Sequence, residues 1–262
     1  MLGAFLTGCT TDPLDEMRKK VVQNASKFEK FCEKYSSSLY VGLDVSGSSR
    51  DEDLLQSRRS TIRDLLTLTA LCGASRELGS NQVRVVAFAD SAAGEQVLYK
   101  SPLEYKGATA NAQLRRTPEA LVGAMEKIDR QLKAALQKPP GQTSDVLAQF
   151  GEAAEFQAQL SGDPRTRIAI LTDGVHTAPP VNLNRQDLDV GEALKLADHL
   201  TPPRLKDSEV TVIGIGRTEG APAPTEYTNV IKSFWAATCT RTGAACSMVT
   251  DLSIPDGAQL WE

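Results

Sequence analysis

Residues 39–48 read Leu-Tyr-Val-Gly-Leu-Asp-Val-Ser-Gly-Ser, an apolar run that stops on an aspartate and turns at once into small polar residues. With serines before it at 36–38, a run of this length suits a central strand buried on both faces. The polar turn over 44–53 then leads into an amphipathic pattern. Leu55, Ile62, Leu65, Leu66, Thr69 and Cys72 recur on one side, predicting a helix to about residue 78 with Gly79 closing it.

Further along, strands are expected at 83–88 and 96–99, joined by the turn Ala92, Ala93, Gly94 as an antiparallel hairpin. After a polar segment over 101–116, Thr117 and Pro118 are expected to open a helix as N-cap and first-turn proline, and Pro139, Pro140 and Gly141 to end it. Ser144 or Asp145 caps another helix, ending near Gly162. A strand at 168–171, a helix at 186–200, a strand at 210–215, a helix at 225–238 and a strand at 247–249 complete the pattern. Strands alternating with helices predict an α/β domain over 38–252, its mostly parallel sheet covered on both faces. Ahead of it, Met17, Val21, Ala25, Phe28, Cys32 and Tyr35 give 13–37 the apolar stripe of an N-terminal amphipathic helix, and 253–262 is a C-terminal tail.

Chain direction predicts where the polar turns meet. If the first strand runs upward, 44–48 lies at its upper edge and the long helix descends. The second strand rises, the third descends, and the helix after Pro118 rises again, bringing Gln142, Thr143 and Ser144 to the same edge. The next helix descends, and strand 168–171 rises to place Thr172, Asp173 and Gly174 there too. If the first strand and strand 168–171 are neighbours, this rim is the crevice where doubly wound sheets bind ligands.

The rim chemistry is oxygen-rich. Asp44, Ser46 and Ser48 alternate in a DxSxS turn, Thr143 adds a hydroxyl and Asp173 a carboxylate, donors that suit a hard divalent ion such as Mg²⁺. Taken singly, each residue has an ordinary role as helix cap, turn residue or strand end. Together they resemble the metal-ion-dependent adhesion site of the von Willebrand factor A and integrin inserted-domain family, in the same order and context, with Gln142 where a glycine is usual. The resemblance covers about residues 38–252. It implies a doubly wound, six-stranded sheet of order 3-2-1-4-5-6 with the third strand antiparallel. It also implies bound Mg²⁺ or Mn²⁺, with the serines on the ion, the carboxylates largely acting through water, and the threonine direct or through water. A Glu or Asp from a partner protein would complete the shell.

The expected function is therefore a metal-dependent protein-binding module, an adhesion or adaptor domain and not an enzyme. The alternative is a Mg²⁺-dependent hydrolase or phosphatase using Asp44 and Asp173. A dehalogenase-type site would need a second aspartate two residues after Asp44, where Ser46 stands. His176 is expected to be a solvent-exposed loop residue, and the Gly214, Gly216 pair lacks a third glycine because Glu219 occupies that place. Loops 174–185 and 217–224 flank the rim and are expected to set partner choice.

Bulk properties narrow the partners. A net charge of -4 with 24% charged residues gives no basic stripe for nucleic acid. No apolar run reaches the roughly 18 residues needed to span a bilayer. Cys9, after Leu6, Thr7 and Gly8, resembles the lipobox of bacterial lipoproteins, although no basic stretch precedes it. Residues 1–12 are accordingly expected to be a truncated lipoprotein signal and tether, with membrane contact only through a lipid on Cys9. That places the domain in a bacterial cell envelope, the alternative being a cytoplasmic adaptor working with an ATPase. Cys32 and Cys72 read as buried free thiols, while Cys239 and Cys246 bracket a short turn across which they could pair.

Overall fold

The apolar run at 39–43 forms β1 (Ser38–Asp44), buried at every position. A computed structural model describes residues 38–74, 82–90, 95–103, 107, 109–160, 166–185 and 187–252. The segments expected at 1–12, 13–37 and 253–262, with Gly79, the turn at 92–94 and Gly162, lie outside the described residues. After β1 come α1 (Glu52–Ala74), β2 (Gln82–Phe88), β3 (Gln96–Pro102), α2 (Ala110–Leu136), α3 (Val146–Ala158) and β4 (Thr166–Leu171). They are followed by α4 (Val190–Asp198), β5 (Glu209–Ile213), α5 (Thr225–Thr242) and β6 (Ala245–Val249).

The six strands form one sheet in the order β3-β2-β1-β4-β5-β6, parallel throughout except for the β2–β3 pair. β1 and β4 are neighbours where the strand order reverses, so the crevice expected from chain direction exists at their C-terminal ends. Strand side chains alternate between two faces. Leu39, Val41 and Leu43 pack with α1 and α2 on one side, while Tyr40, Ile168 and Ile170 pack with α3, α4 and α5 on the other. The second core centres on Trp235, stacked on Phe150 at 5.8 Å and met edge-on by Phe234 at 4.9 Å.

Several boundaries differ from expectation for identifiable reasons. α2 starts before Thr117 and Pro118, because the Thr109 side chain caps it by accepting from the Ala112 amide, so Pro118 lies inside the helix. The Thr117 hydroxyl donates to the Gln113 carbonyl instead of capping. α3 is capped by Asp145 and stops at Ala158, short of Gly162. α4 starts at Val190, not at 186, because Asp189 accepts from the Glu192 amide as its cap. β5 ends at Ile213, since Gly214 turns the chain at φ +91°. α5 runs to Thr242, one turn beyond expectation, and ends on a left-handed Gly243.

The cysteines also differ from expectation. Cys239, fully buried on α5, pairs with Cys246 on β6 across a Cα–Cα distance of 6.1 Å. Cys72, expected as a free thiol, is disulfide-bonded, its partner outside the described residues.

Gly42 fits a tight spot between sheet and α3. A Cβ there would meet Gln149 Oε1 at 2.8 Å and Phe88 at 3.3 Å. That oxygen accepts the Tyr40 hydroxyl at 2.8 Å, so it cannot yield without breaking a buried hydrogen bond. Gly42→Ala is expected to lower stability by about 1–3 kcal/mol, read from the shift of the denaturant midpoint.

Candidate functional site

The C-terminal end of β1 carries Asp44, which is 0% exposed. Its Oδ1 accepts the Ser46 amide at 2.9 Å, a local turn that swings the chain into a 3-10 turn at Gly47–Ser49. Its Oδ2 accepts two hydroxyls from other segments, Thr172 at 2.8 Å from the end of β4 and Ser144 at 3.0 Å from the loop between α2 and α3. One carboxylate thus ties together the three loops that chain direction brought to this rim.

The α2–α3 loop is fixed from both sides. The Asp145 amide donates to Ala89 O at 2.8 Å, and the Ser144 amide to the Thr177 hydroxyl at 2.8 Å. This leaves Thr143, half-buried, on the wall of a cleft of about 620 Å³ that Ser46, Ser48 and Asp173 also line. Asp173 accepts the Ser48 hydroxyl at 2.8 Å on Oδ2 and the Val175 amide at 2.9 Å on Oδ1. A hydroxyl that gives its only proton to a carboxylate keeps its lone pairs for a cation. Ser48 and Ser144 are in that condition, whereas Thr172 Oγ1 also accepts the Gly174 amide at 3.0 Å. The structure therefore brings Ser46, Ser48, Thr143 and Asp173 to one cleft, with Asp44 directly beneath.

Burial exceeds what a rim turn suggests. Asp44, Ser46 and Asp173 are all buried, not on an exposed turn outside the core. The Ser46 hydroxyl oxygen is buried with no hydrogen-bond partner. A buried hydroxyl without a partner costs about 1–3 kcal/mol, so an added ligand for it is stabilising. Among the described residues no three His, Cys, Asp or Glu converge, so the donors here are two carboxylates and several hydroxyls. Such a set fits Mg²⁺ or Mn²⁺ better than a soft metal.

Three residues at the site went unnoticed in the sequence. Arg58 on α1 is 0% exposed and donates from Nη1 to Asp44 O at 3.1 Å and Ser49 O at 3.4 Å. Its position three residues after Leu55 and four before Ile62, on the buried stripe, was the available signal. Tyr227 lines the cleft and donates to Leu183 O at 2.8 Å; burial, then Asp173, pushes its phenol up to about 12. Arg50, just after the 3-10 turn, reaches Val45 O at 2.7 Å and Lys138 O at 2.8 Å, tying this loop to the end of α2.

His176, expected to be exposed, is fully buried edge-on against Trp235 at 6.2 Å, and burial holds its pKa below the ordinary value. The flanking loops do reach the cleft, through Asn184 and Arg185 of one and Thr218 and Pro224 of the other.

A scan against protein-family models finds no match, and neither does a search of curated proteins. Among solved structures the chain is similar to the pilus adhesin SpaC from Lactobacillus rhamnosus GG in its open conformation, at 14% identity and a TM-score of 0.41. The match covers 85% of this chain but 29% of that one, under a third of the adhesin's length. A likeness of this size does not bear on function.

Burial, and then the charge of Asp44, pushes the Asp173 carboxyl up to about 6, against about 3.9 for an unfolded aspartate. Folding of the metal-free chain therefore takes up a proton in this window. The stabilisation is complete below about pH 4 and is lost as the pH rises through about 6. Thermal melts in metal-free buffer should show the melting temperature falling across that window, and Asp173→Asn should remove the fall.

Proposed function

We propose that this chain is a metal-dependent protein-binding domain of the von Willebrand factor A type. Asp44, Ser46, Ser48, Thr143 and Asp173 would hold Mg²⁺ or Mn²⁺, and a partner protein would present a Glu or Asp to the cleft. The observation that carries this reading is the buried, partnerless Ser46 hydroxyl beside hydroxyls whose protons already point to carboxylates. A bound divalent ion would supply an electropositive position for an outside carboxylate oxygen.

This chain's own residues do the rest. Asp44 holds three loops in register, Asp173 orients Ser48, and the cleft walls from Asn184 to Tyr227 exclude water from one side of an incoming side chain. The reading assigns binding without turnover. His176, the histidine nearest the site in sequence, is buried against Trp235 and is absent from the cleft lining, so it supports no role as a base facing a substrate. The disulfides at Cys239–Cys246 and at Cys72 support an oxidising compartment, in keeping with an envelope protein tethered through Cys9.

Ser46→Ala is the sharpest single test. Removing a buried hydroxyl without a protein partner should leave the metal-free melting temperature no lower than the parent's, and raise it to the extent that its desolvation is unmet. Calorimetric titration with Mg²⁺ should show affinity falling by about tenfold or more, the scale of one lost ligand or its supporting contact. Equal affinity in the variant and the parent would remove the site assignment. Asp44→Ala is a poorer probe, because it strips the acceptor from Ser144, Thr172 and the Ser46 amide and should destabilise the fold.

Partner capture is tested with envelope and cytosolic extracts passed over the immobilised chain with and without EDTA. Binding should be lost on chelation and on Thr143→Ala. A partner retained equally under both conditions would place the interaction on another surface.

A further inference from the structure

We propose that Arg58 is a built-in counter-cation that makes metal and partner carboxylate load the site together. The inference rests on the metal-binding reading and concerns how that site is regulated. Arg58 occupies a core position where leucine or methionine would pack. Its guanidinium is fully buried, holds the Asp44 and Ser49 carbonyls through Nη1, and has no hydrogen-bond partner at Nε or Nη2. Its charge interacts with both the Asp44 and the Asp173 carboxylates.

A buried guanidinium with unmet donors is costly, so it persists only against compensating negative charge. Asp44 and Asp173 supply that charge, and the hydroxyls around them add none. The metal-free site thus carries one net negative charge: two carboxylates against one guanidinium. A divalent cation alone would turn this into one net positive charge, in surroundings where unbalanced charge is penalised. A carboxylate from outside restores neutrality.

Neighbouring cations do not change this count. Arg185 at the cleft wall is paired with Asp187 and Glu192, and Arg50 is turned to backbone carbonyls near the surface. Arg58 therefore weakens the hold on metal alone and strengthens the hold on metal plus carboxylate. By linkage, the metal raises affinity for a carboxylate by the same factor as the carboxylate raises affinity for the metal.

The test uses the full chain, Mg²⁺ as the metal and acetate as the carboxylate. Mg²⁺ is titrated calorimetrically in sodium chloride and in sodium acetate of equal ionic strength, for the parent, Arg58→Met, Arg58→Gln and Arg58→Lys; metal-free thermal melts are recorded alongside. The parent and Arg58→Lys should bind Mg²⁺ more tightly in acetate. Arg58→Met and Arg58→Gln should bind it about tenfold or more tightly than the parent in chloride, the scale of one unit charge in partly buried protein, and lose the acetate effect. Their metal-free melting temperatures should fall and recover further than the parent's on adding Mg²⁺.

A purely structural role predicts the opposite sign, weaker Mg²⁺ binding in every variant, and that result would overturn the proposal. So would an acetate effect that survives in Arg58→Met or, where Arg58→Met does not fold, in Arg58→Gln. Absence of Mg²⁺ binding in the parent itself would instead sink the metal-site reading, and this inference with it.

Discussion

The Asp44 carboxylate is the point on which the site is built. It stands at the C-terminal end of the central strand, where the strand order reverses, and it accepts hydrogen bonds from its own turn, from the loop before α3 and from the end of β4. Each of those segments is anchored elsewhere by its own element, so their relative placement is a property of the sheet. The carboxylate converts that placement into hydroxyls aligned to within a hydrogen bond. An alanine here would leave three donors competing for water in a buried space, which is why the residue is structural and chemical at once.

Gathering two aspartates in the core sets an electrostatic problem that the rest of the site answers. Desolvation and mutual repulsion favour protonating one of them, and Asp173 shows that strain in its raised pKa. The fold relieves it with the Val175 amide, the Ser48 hydroxyl and the buried guanidinium of Arg58. The same features that make the metal-free state tolerable therefore define what an added cation would have to displace or complement.

Much of this was legible in the sequence, because it depends on short-range pattern and on direction. The apolar run at 39–43 announces a central strand, and alternating element directions alone bring Thr143 and Asp173 to the rim beside Asp44. What the sequence left out depends on three-dimensional packing. Thr117 and Pro118 look like a helix start, but the Thr109 side chain caps the helix by accepting from the Ala112 amide, and the helix tolerates Pro118 in its ninth position. His176 sits in a polar-looking loop, yet Trp235 lies over it, and no local pattern connects residues so far apart. Arg58 was visible as a charge on an apolar stripe; its meaning appears only once Asp44 is seen above it.

Trp235 gives the site a mechanical aspect. Its indole nitrogen donates to the Gly174 carbonyl at 2.8 Å, immediately after Asp173, and a Cβ on Gly174 would meet Ile231 of the same helix at 2.8 Å. Tension applied at Asp173 therefore passes into α5 through a hydrogen bond at the next residue. At the far end of α5 the Cys239–Cys246 bond joins the helix covalently to the edge strand β6. A pull entering at the cleft would thus meet a helix whose distal end is held covalently to the sheet. The force would be spread as shear across the aromatic core between Phe150 and Trp235.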